Sequence, residues 1–310
     1  MPPFVPLPCF VPRETFYLQL FKRKNIDIFV VYWYNLRYYI KNISNALNIE
    51  DFECMIIAFA NQKGGVGKTT SAINVAASLG VLGKKVLLCD LDPQSNATSG
   101  VGVNKRNVPL SIYDVIIGRC NVNEAIIKTQ YENLWVLPSN INLAGAEIEF
   151  VEDNMSERFF RFKNSVSPAE ENFDYVIIDC PPSLGILTVN ALCGSDYVVV
   201  PMQCEFFALE GLSQLTNTLK QVKRLYNPKI DIAGILITMY DGRLNLSVQV
   251  LDELKKFFPD KILKTLVSRT IRLGESPSHG MPIYYYDRTS KANDCYMELS
   301  KEIDKICVKL

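Results

Sequence analysis

Along this chain, short apolar runs alternate with stretches in which apolar residues recur at helical spacing. Ile56–Ala60 is an unbroken apolar run, too short for a helix, and predicts a buried strand. Ala72, Val75, Ala76 and Leu79 then repeat on one face of a helical pattern. The alternation returns downstream. Lys84–Asp90, Leu134–Leu137, Asp174–Asp179, Asp196–Met202, Ile232–Thr238 and Ile262–Val267 read as extended segments. Helical spacing covers Ala144–Phe162, a stretch reaching about Tyr226, Val248–Phe258 and Ala292–Val308, with shorter amphipathic helices at Ile112–Ile117 and Val122–Ile127. Strands alternating with helices predict an α/β fold: a mostly parallel twisted sheet with helices on both faces.

The junction between the first strand and the first helix carries the chemistry. Asn61-Gln62-Lys63-Gly64-Gly65-Val66-Gly67-Lys68-Thr69-Thr70 has the layout of a phosphate-binding loop. Glycines at 64, 65 and 67 let backbone N–H groups close around phosphate oxygens at a helix N-terminus. Lys68 is placed to reach the β- and γ-phosphates of a nucleotide, and the Thr69 hydroxyl to coordinate Mg²⁺. The ordinary G-x-x-x-x-G-K-[ST] pattern is not met, because Gln62 stands at its first glycine and a second lysine, Lys63, precedes the glycines.

Composition narrows the function. The 310 residues carry zero formal net charge, so any nucleic-acid contact has to come from a local patch. Such a patch exists: residues 220–272 hold eleven Lys/Arg against five Asp/Glu. Nine cysteines without a C-x-x-C pair, and one histidine, argue against zinc and for reduced thiols in a cytoplasmic protein. His279 reads as a loop residue that packs, and Glu147, Glu149, Glu152 and Asp153 as a solvated helix face. Residues 1–54 differ from the rest, with no glycine, five prolines before residue 13 and twelve of the chain's 33 aromatics. They read as an N-terminal extension, either a mis-set start or a dispensable segment, with the core beginning near Met55. The apolar stretch Ile26–Ile40 is interrupted by Asp27, Asn35 and Arg37 and falls short of the roughly 20 residues that span a bilayer. No membrane association is expected.

Lys63–Thr70 resembles the deviant Walker A box of the ParA/MinD ATPases. Four further stretches extend the likeness: Asp90–Thr98, which fits D-x-D-P-Q-x-N-A-T, Asp174–Pro182, Gln203–Gly211 and Ser268–Gly280. Together they resemble the small chromosome-partitioning ParA (Soj) proteins over Met55–Leu310. One small departure is Gly274 and Ser276, where that family more often has Ser and Ala.

The resemblance implies an ATPase domain over residues 55–310 that binds ATP and Mg²⁺. Lys63, Gly64, Gly65, Val66, Gly67, Lys68, Thr69 and Thr70 would hold the phosphates, and Thr69 and the Walker B acid Asp179 the metal. Asp92 would lie in switch I and position or activate the attacking water, and the prolines after Asp179 would stiffen switch II. Lys63 of each subunit would reach the other's phosphates in an ATP-bound homodimer, which makes Lys63, Lys68 and Asp92 the expected catalytic residues. The dimer would bind DNA without sequence preference, through Arg243, Arg269 and Arg272. A ParB-like centromere-binding protein would stimulate slow hydrolysis and release it, giving a cytoplasmic, nucleoid-associated protein. The alternatives are a MinD-like membrane-cycling ATPase that positions division, and a redox protein of the nitrogenase iron-protein type. The mixed-charge C-terminal helix argues against the first. The absence of an upstream glycine-rich segment carrying cysteine argues against the second.

Overall fold

Seven segments pair into one sheet: β1 (Met55–Phe59), β2 (Val86–Asp90), β3 (Ile127–Lys128), β4 (Leu134–Leu137), β5 (Tyr175–Asp179), β6 (Tyr197–Gln203) and β7 (Asp231–Thr238). Their order is β3-β4-β2-β5-β1-β6-β7, and every neighbouring pair is parallel except β3–β4. The computed structural model describes residues 54–152 and 157–308. Apart from Cys54, the expected extension over residues 1–54 lies outside them, as does Asp153.

Both faces of the sheet are buried, as parallel strands require. Ile57, Phe59, Leu88 and Ile177 point to one side, onto α1 (Lys68–Val81) and a C-terminal helix over Lys291–Val308. Ile56, Ala58, Leu87, Val176 and Ile178 point to the other, into a core shared with helices over residues 186–194, 208–225 and 245–257. In chain order the helices used below are α2 (Asn96–Gly100), α3 (Leu143–Glu152), α4 (Ile186–Gly194), α5 (Ala208–Leu225), α6 (Asn245–Phe257), α7 (Ile271–Glu275) and α8 (Lys291–Val308). Burying one Leu, Ile or Val contributes about 1.5–3 kcal/mol. An exposed ion pair contributes ~1 kcal/mol or less. The two cores therefore hold the fold, and the surface ion pairs decorate it.

Three expectations from the periodicity need correction. Ala144–Phe162 is not one helix: α3 ends at Glu152, and a turn over residues 157–160 precedes a new helix at Arg161–Val166. Asn190 of α4 organises that turn, accepting from the Phe162 N–H at 3.2 Å and donating to the Arg158 carbonyl at 2.8 Å. Helical spacing of apolar residues cannot register such a side-chain tie.

Ile262–Val267 runs beside β7 through separate backbone bonds rather than as a strand of the sheet: Leu263 N–H to Ile235 O at 3.0 Å and Val267 N–H to Ile237 O at 2.9 Å. Leu263 occupies the space that Gly234 leaves empty, where a Cβ would come within 2.3 Å of the leucine side chain. The third correction is at Val122–Ile127, where the helix stops at Ala125 and the chain straightens into β3.

Candidate active site

The carboxyl ends of β1, β2 and β5 lie side by side, with Phe59 beside Asp179 and Asp179 beside Asp90. Open α/β sheets present their ligand sites at this edge, and the glycine-rich loop rises from it. Asn61 anchors the start of the loop: its amide donates to the Pro201 carbonyl at 2.7 Å, and its Oδ1 accepts from the Lys63 N–H at 3.0 Å. Gly65 and Gly67 adopt φ of +73° and +84°, in the left-handed region that disfavours a Cβ. Neighbouring strands hold the carbonyls between them. Gln203 donates to Gly65 O at 2.9 Å, and the Thr238 hydroxyl donates to Val66 O at 2.7 Å. With those carbonyls turned outward, α1 opens directly at Lys68.

Lys68 is buried, and its ammonium donates to the Lys63 carbonyl at 3.1 Å, folded back beneath the loop. Burial lowers its pKa, while the nearby Asp179, Cys180 and Asp92 oppose that shift. Asp179 is completely buried, and among the described residues neither carboxylate oxygen has a well-formed hydrogen bond. Burial, and then the adjacent Asp90, push its pKa well above the usual carboxylate range, with the Thr69 hydroxyl and Lys68 favouring the charged form. Asp90 is likewise raised, to about 6, by burial. Its charge is partly accommodated by Thr98, whose N–H and hydroxyl both donate to Oδ2 at 2.7 Å. Two buried carboxyls side by side cannot both ionise cheaply without a cation.

That unmet demand fits Mg²⁺. Oxygen donors, Thr69 and Asp179, stand at the phosphate loop, and no group of three or more His, Cys, Asp or Glu among the described residues could hold a metal by itself. A hard cation that completes its shell with phosphate and water oxygens suits such a site. Asp92 is buried at the start of the next loop, where its backbone N–H donates to Asp90 Oδ1 at 3.2 Å and its Oδ1 accepts from Gln94 N–H at 2.9 Å.

Lys68, Thr69, Asp92 and Asp179 are thus brought together, and Lys63 is not. It lies half-exposed on the rim, paired with Glu205 at the end of β6. Arg243 and Arg269 lie on neighbouring segments, and Arg272 follows three residues after Arg269. The Tyr240–Ser268 bridge brings the segments carrying the first two together, and Thr270 caps α7 ahead of Arg272. Arg243 forks onto Asp241 with bonds of 2.8 and 2.6 Å, and holds that carboxyl down at about 2. Arg272 pairs with Glu275 at 3.2 Å and Asp287 at 3.3 Å. Arg269 is exposed, without an ion pair among the described residues.

The sequence reading missed Asp90, although it ends an apolar run in the same way as Asp179. It also missed Asn61 and Thr238 as supports of the loop, for which no local pattern exists. His279 stacks on Tyr286 with ring centroids 5.2 Å apart, in keeping with a packing role.

Comparison with known proteins accords with this geometry. The family described as "AAA domain" matches residues 54–232. The sporulation initiation inhibitor protein Soj of Bacillus subtilis (strain 168) is 52% identical over 248 residues, 80% of this chain and 97% of that protein. This chain belongs to the ParA/Soj family of P-loop ATPases. The chromosome partitioning protein ParA of Myxococcus xanthus is 46% identical over 250 residues, covering 81% of this chain and 88% of that ParA. Among solved structures, a cobyrinic acid a,c-diamide synthase of Mycobacterium smegmatis with bound ATP analog and magnesium is similar to this ParA/Soj chain. The TM-score is 0.72 at 35% identity, over 80% of this chain and 93% of that one.

Proposed function

We propose that this chain is a DNA-partition ATPase, with residues 55–310 as its ATPase unit. ATP and Mg²⁺ bind at the phosphate loop, and two ATP-bound copies form a homodimer that holds DNA without sequence preference. The observation that carries this reading is the separation of the two lysines. Lys68 is buried beneath its own loop, whereas Lys63 stands half-exposed on the rim, paired with Glu205. A cation so placed suits the phosphates of a second copy better than those of its own loop.

The division of labour follows. Backbone N–H groups of residues 64–69 and the Lys68 ammonium take the phosphate charge. Thr69, and Asp179 through water, would hold Mg²⁺, which would supply positive charge against the β- and γ-phosphates. Asp92 orients the attacking water. Lys63 of the other subunit adds a second cation to the developing γ-phosphate charge, so that one contact favours both the dimer and the transition state. Hydrolysis is slow until a ParB-like partner stimulates it. The protein then lets go of DNA, and it works on the nucleoid in the cytoplasm.

Three observations weigh against the alternatives. The apolar face of α8 is buried on α1 and the sheet through Tyr296, Leu299, Ile303 and Cys307, so among the described residues that face is not free to lie on a membrane. Among the described residues no helix is long and apolar enough to cross one. Cys180, the thiol next to Asp179, is wholly buried and shifted far upward by burial, so it is unsuited to a cluster shared between subunits.

DNA co-sedimentation with ATP, ADP or no nucleotide tests the proposal. Pelleting with ATP alone is expected. Equal pelleting in all three conditions overturns it.

A further inference from the structure

Beyond β2 the chain turns through residues 91–95 before α2, and this turn carries Asp92. Its inner side is well tied: Asp92 N–H and Gln94 N–H bond to the carboxylates of Asp90 and Asp92, and Ser95 N–H donates to Asp92 O at 2.9 Å. Ser95 sits at φ +56°, a conformation that serine keeps only where its surroundings hold it. The outer side is different. There the turn faces a cavity of about 540 Å³, lined by Pro93, Gln94, Ser95, Lys105, Arg106 and Ile141 among others, so packing gives little support. Into this gap the Lys105 ammonium reaches back and donates to the Gln94 carbonyl at 2.6 Å. The backbone that carries Lys105 is held, because Asn104 caps the turn over Lys105–Asn107 by accepting from Arg106 N–H at 3.1 Å.

We propose that Lys105 is a positioning residue for ATP hydrolysis, acting from outside the active site as a clip on the Asp92 loop. The physical logic lies in the two peptide groups around Gln94. Asp92 holds the one before it through the Gln94 N–H, and Lys105 holds the one after it through the Gln94 carbonyl. With both fixed, the backbone of Gln94 cannot swing, and the Asp92 carboxylate keeps its orientation at the phosphate loop. The bond is charge-assisted, which makes it about twice as strong as a neutral one. Lys105 touches neither the glycine-rich loop nor Lys68, so nucleotide affinity does not depend on it. The inference rests on the assignment of Asp92 made above.

Steady-state ATPase assays on the full chain test it, using Lys105→Met, Lys105→Gln, Lys105→Arg, Asp92→Ala and the Lys105→Met/Asp92→Ala double variant. Both neutral variants should lower kcat by up to about fivefold, the ratio that one exposed charged contact of ~1 kcal/mol can set, while KM for ATP stays within about twofold. Lys105→Arg should restore most of the rate. In the Asp92→Ala background, Lys105→Met should cost nothing more, because the clip acts only through that carboxylate. Unchanged turnover in both neutral variants, a matching rise in KM, or full additivity in the double variant overturns the inference. If Asp92→Ala itself turns over normally, the assignment of Asp92 fails and takes the inference with it. If Asp92→Ala is slow and both neutral variants are normal, only the inference fails.

Discussion

Lys63 and Glu205 form an ion pair across the rim of the phosphate loop, tying the start of the loop to the end of β6. The lysine that is proposed to act on a second subunit is therefore engaged at home in the single chain, and dimerisation has to exchange one carboxylate partner for phosphate. Both side chains are about half exposed, so the pair contributes ~1 kcal/mol or less. Glu205→Gln should leave ATP affinity unchanged and shift ATP-driven dimerisation to lower protein concentration, by up to about thirtyfold because each of the two subunits gives up one such pair. Analytical ultracentrifugation with a non-hydrolysable ATP analogue measures this. Weaker dimerisation in the variant would show that Glu205 supports the interface rather than competing with it.

The two lysines should fail differently. Lys68→Ala removes the buried ammonium beneath the loop and should weaken nucleotide binding itself. Lys63→Ala should bind ATP normally, yet dimerise and hydrolyse poorly. Isothermal titration against ATP separates the cases, and an equal loss of affinity in both variants contradicts the assignment of Lys63 to the second subunit.

How much of this was legible in the sequence depends on the range of the signal. The glycine loop, Lys68 and Thr69 are contiguous, and each residue type answers a local demand, so they could be read directly. Asp179 could be read because an apolar strand ended in a carboxylate. Asp90 ends its strand in the same way, but only the sheet order, with β5 beside β2, turns two aspartates into one coupled pair. The turn ahead of Arg161–Val166 is tied by Asn190, about thirty residues downstream. The packing of Leu263 over Gly234 likewise joins residues far apart in sequence. Such ties leave no periodic trace.

The Asp90–Asp179 pair makes the stability of the nucleotide-free protein depend on pH. Asp90 titrates near 6 in the folded protein and near 4 when unfolded, so between those values the folded state binds more protons. Its stabilising contribution is complete below about pH 4 and is lost as pH rises through 6; Asp179, raised in the same direction, extends the loss upward. Thermal melts should show Asp179→Asn gaining on wild type as pH rises from 5 to 8, because it replaces a buried carboxyl that resists ionisation and loses no well-formed hydrogen bond. The gain should be of the order of 1–3 kcal/mol, and turnover should be lost. A variant less stable than wild type at pH 8 would contradict this account.

The arginine surface gives the last prediction. Arg243 is engaged by Asp241, and Arg272 by Glu275 and Asp287, whereas Arg269 is exposed without an ion pair among the described residues. A phosphate must displace a carboxylate from the first two, while Arg269 loses only solvent. Arg269→Ala should therefore weaken ATP-dependent DNA binding more than Arg243→Ala does. Asp241→Asn, which frees a guanidinium, should strengthen it. The proposed ATP dimer would present two such surfaces, so each arginine would count twice, and affinity falls with log[salt] at a slope of about −0.9 per phosphate neutralised. Removing Arg269 should thus flatten the log–log salt slope by close to 2 if both copies contact the same duplex, and by about 1 if only one does. Fluorescence anisotropy with a random-sequence duplex across a salt series reads both quantities. An unchanged slope together with unchanged affinity for the Arg243→Ala/Arg269→Ala/Arg272→Ala triple variant would remove this lobe from the DNA contact altogether.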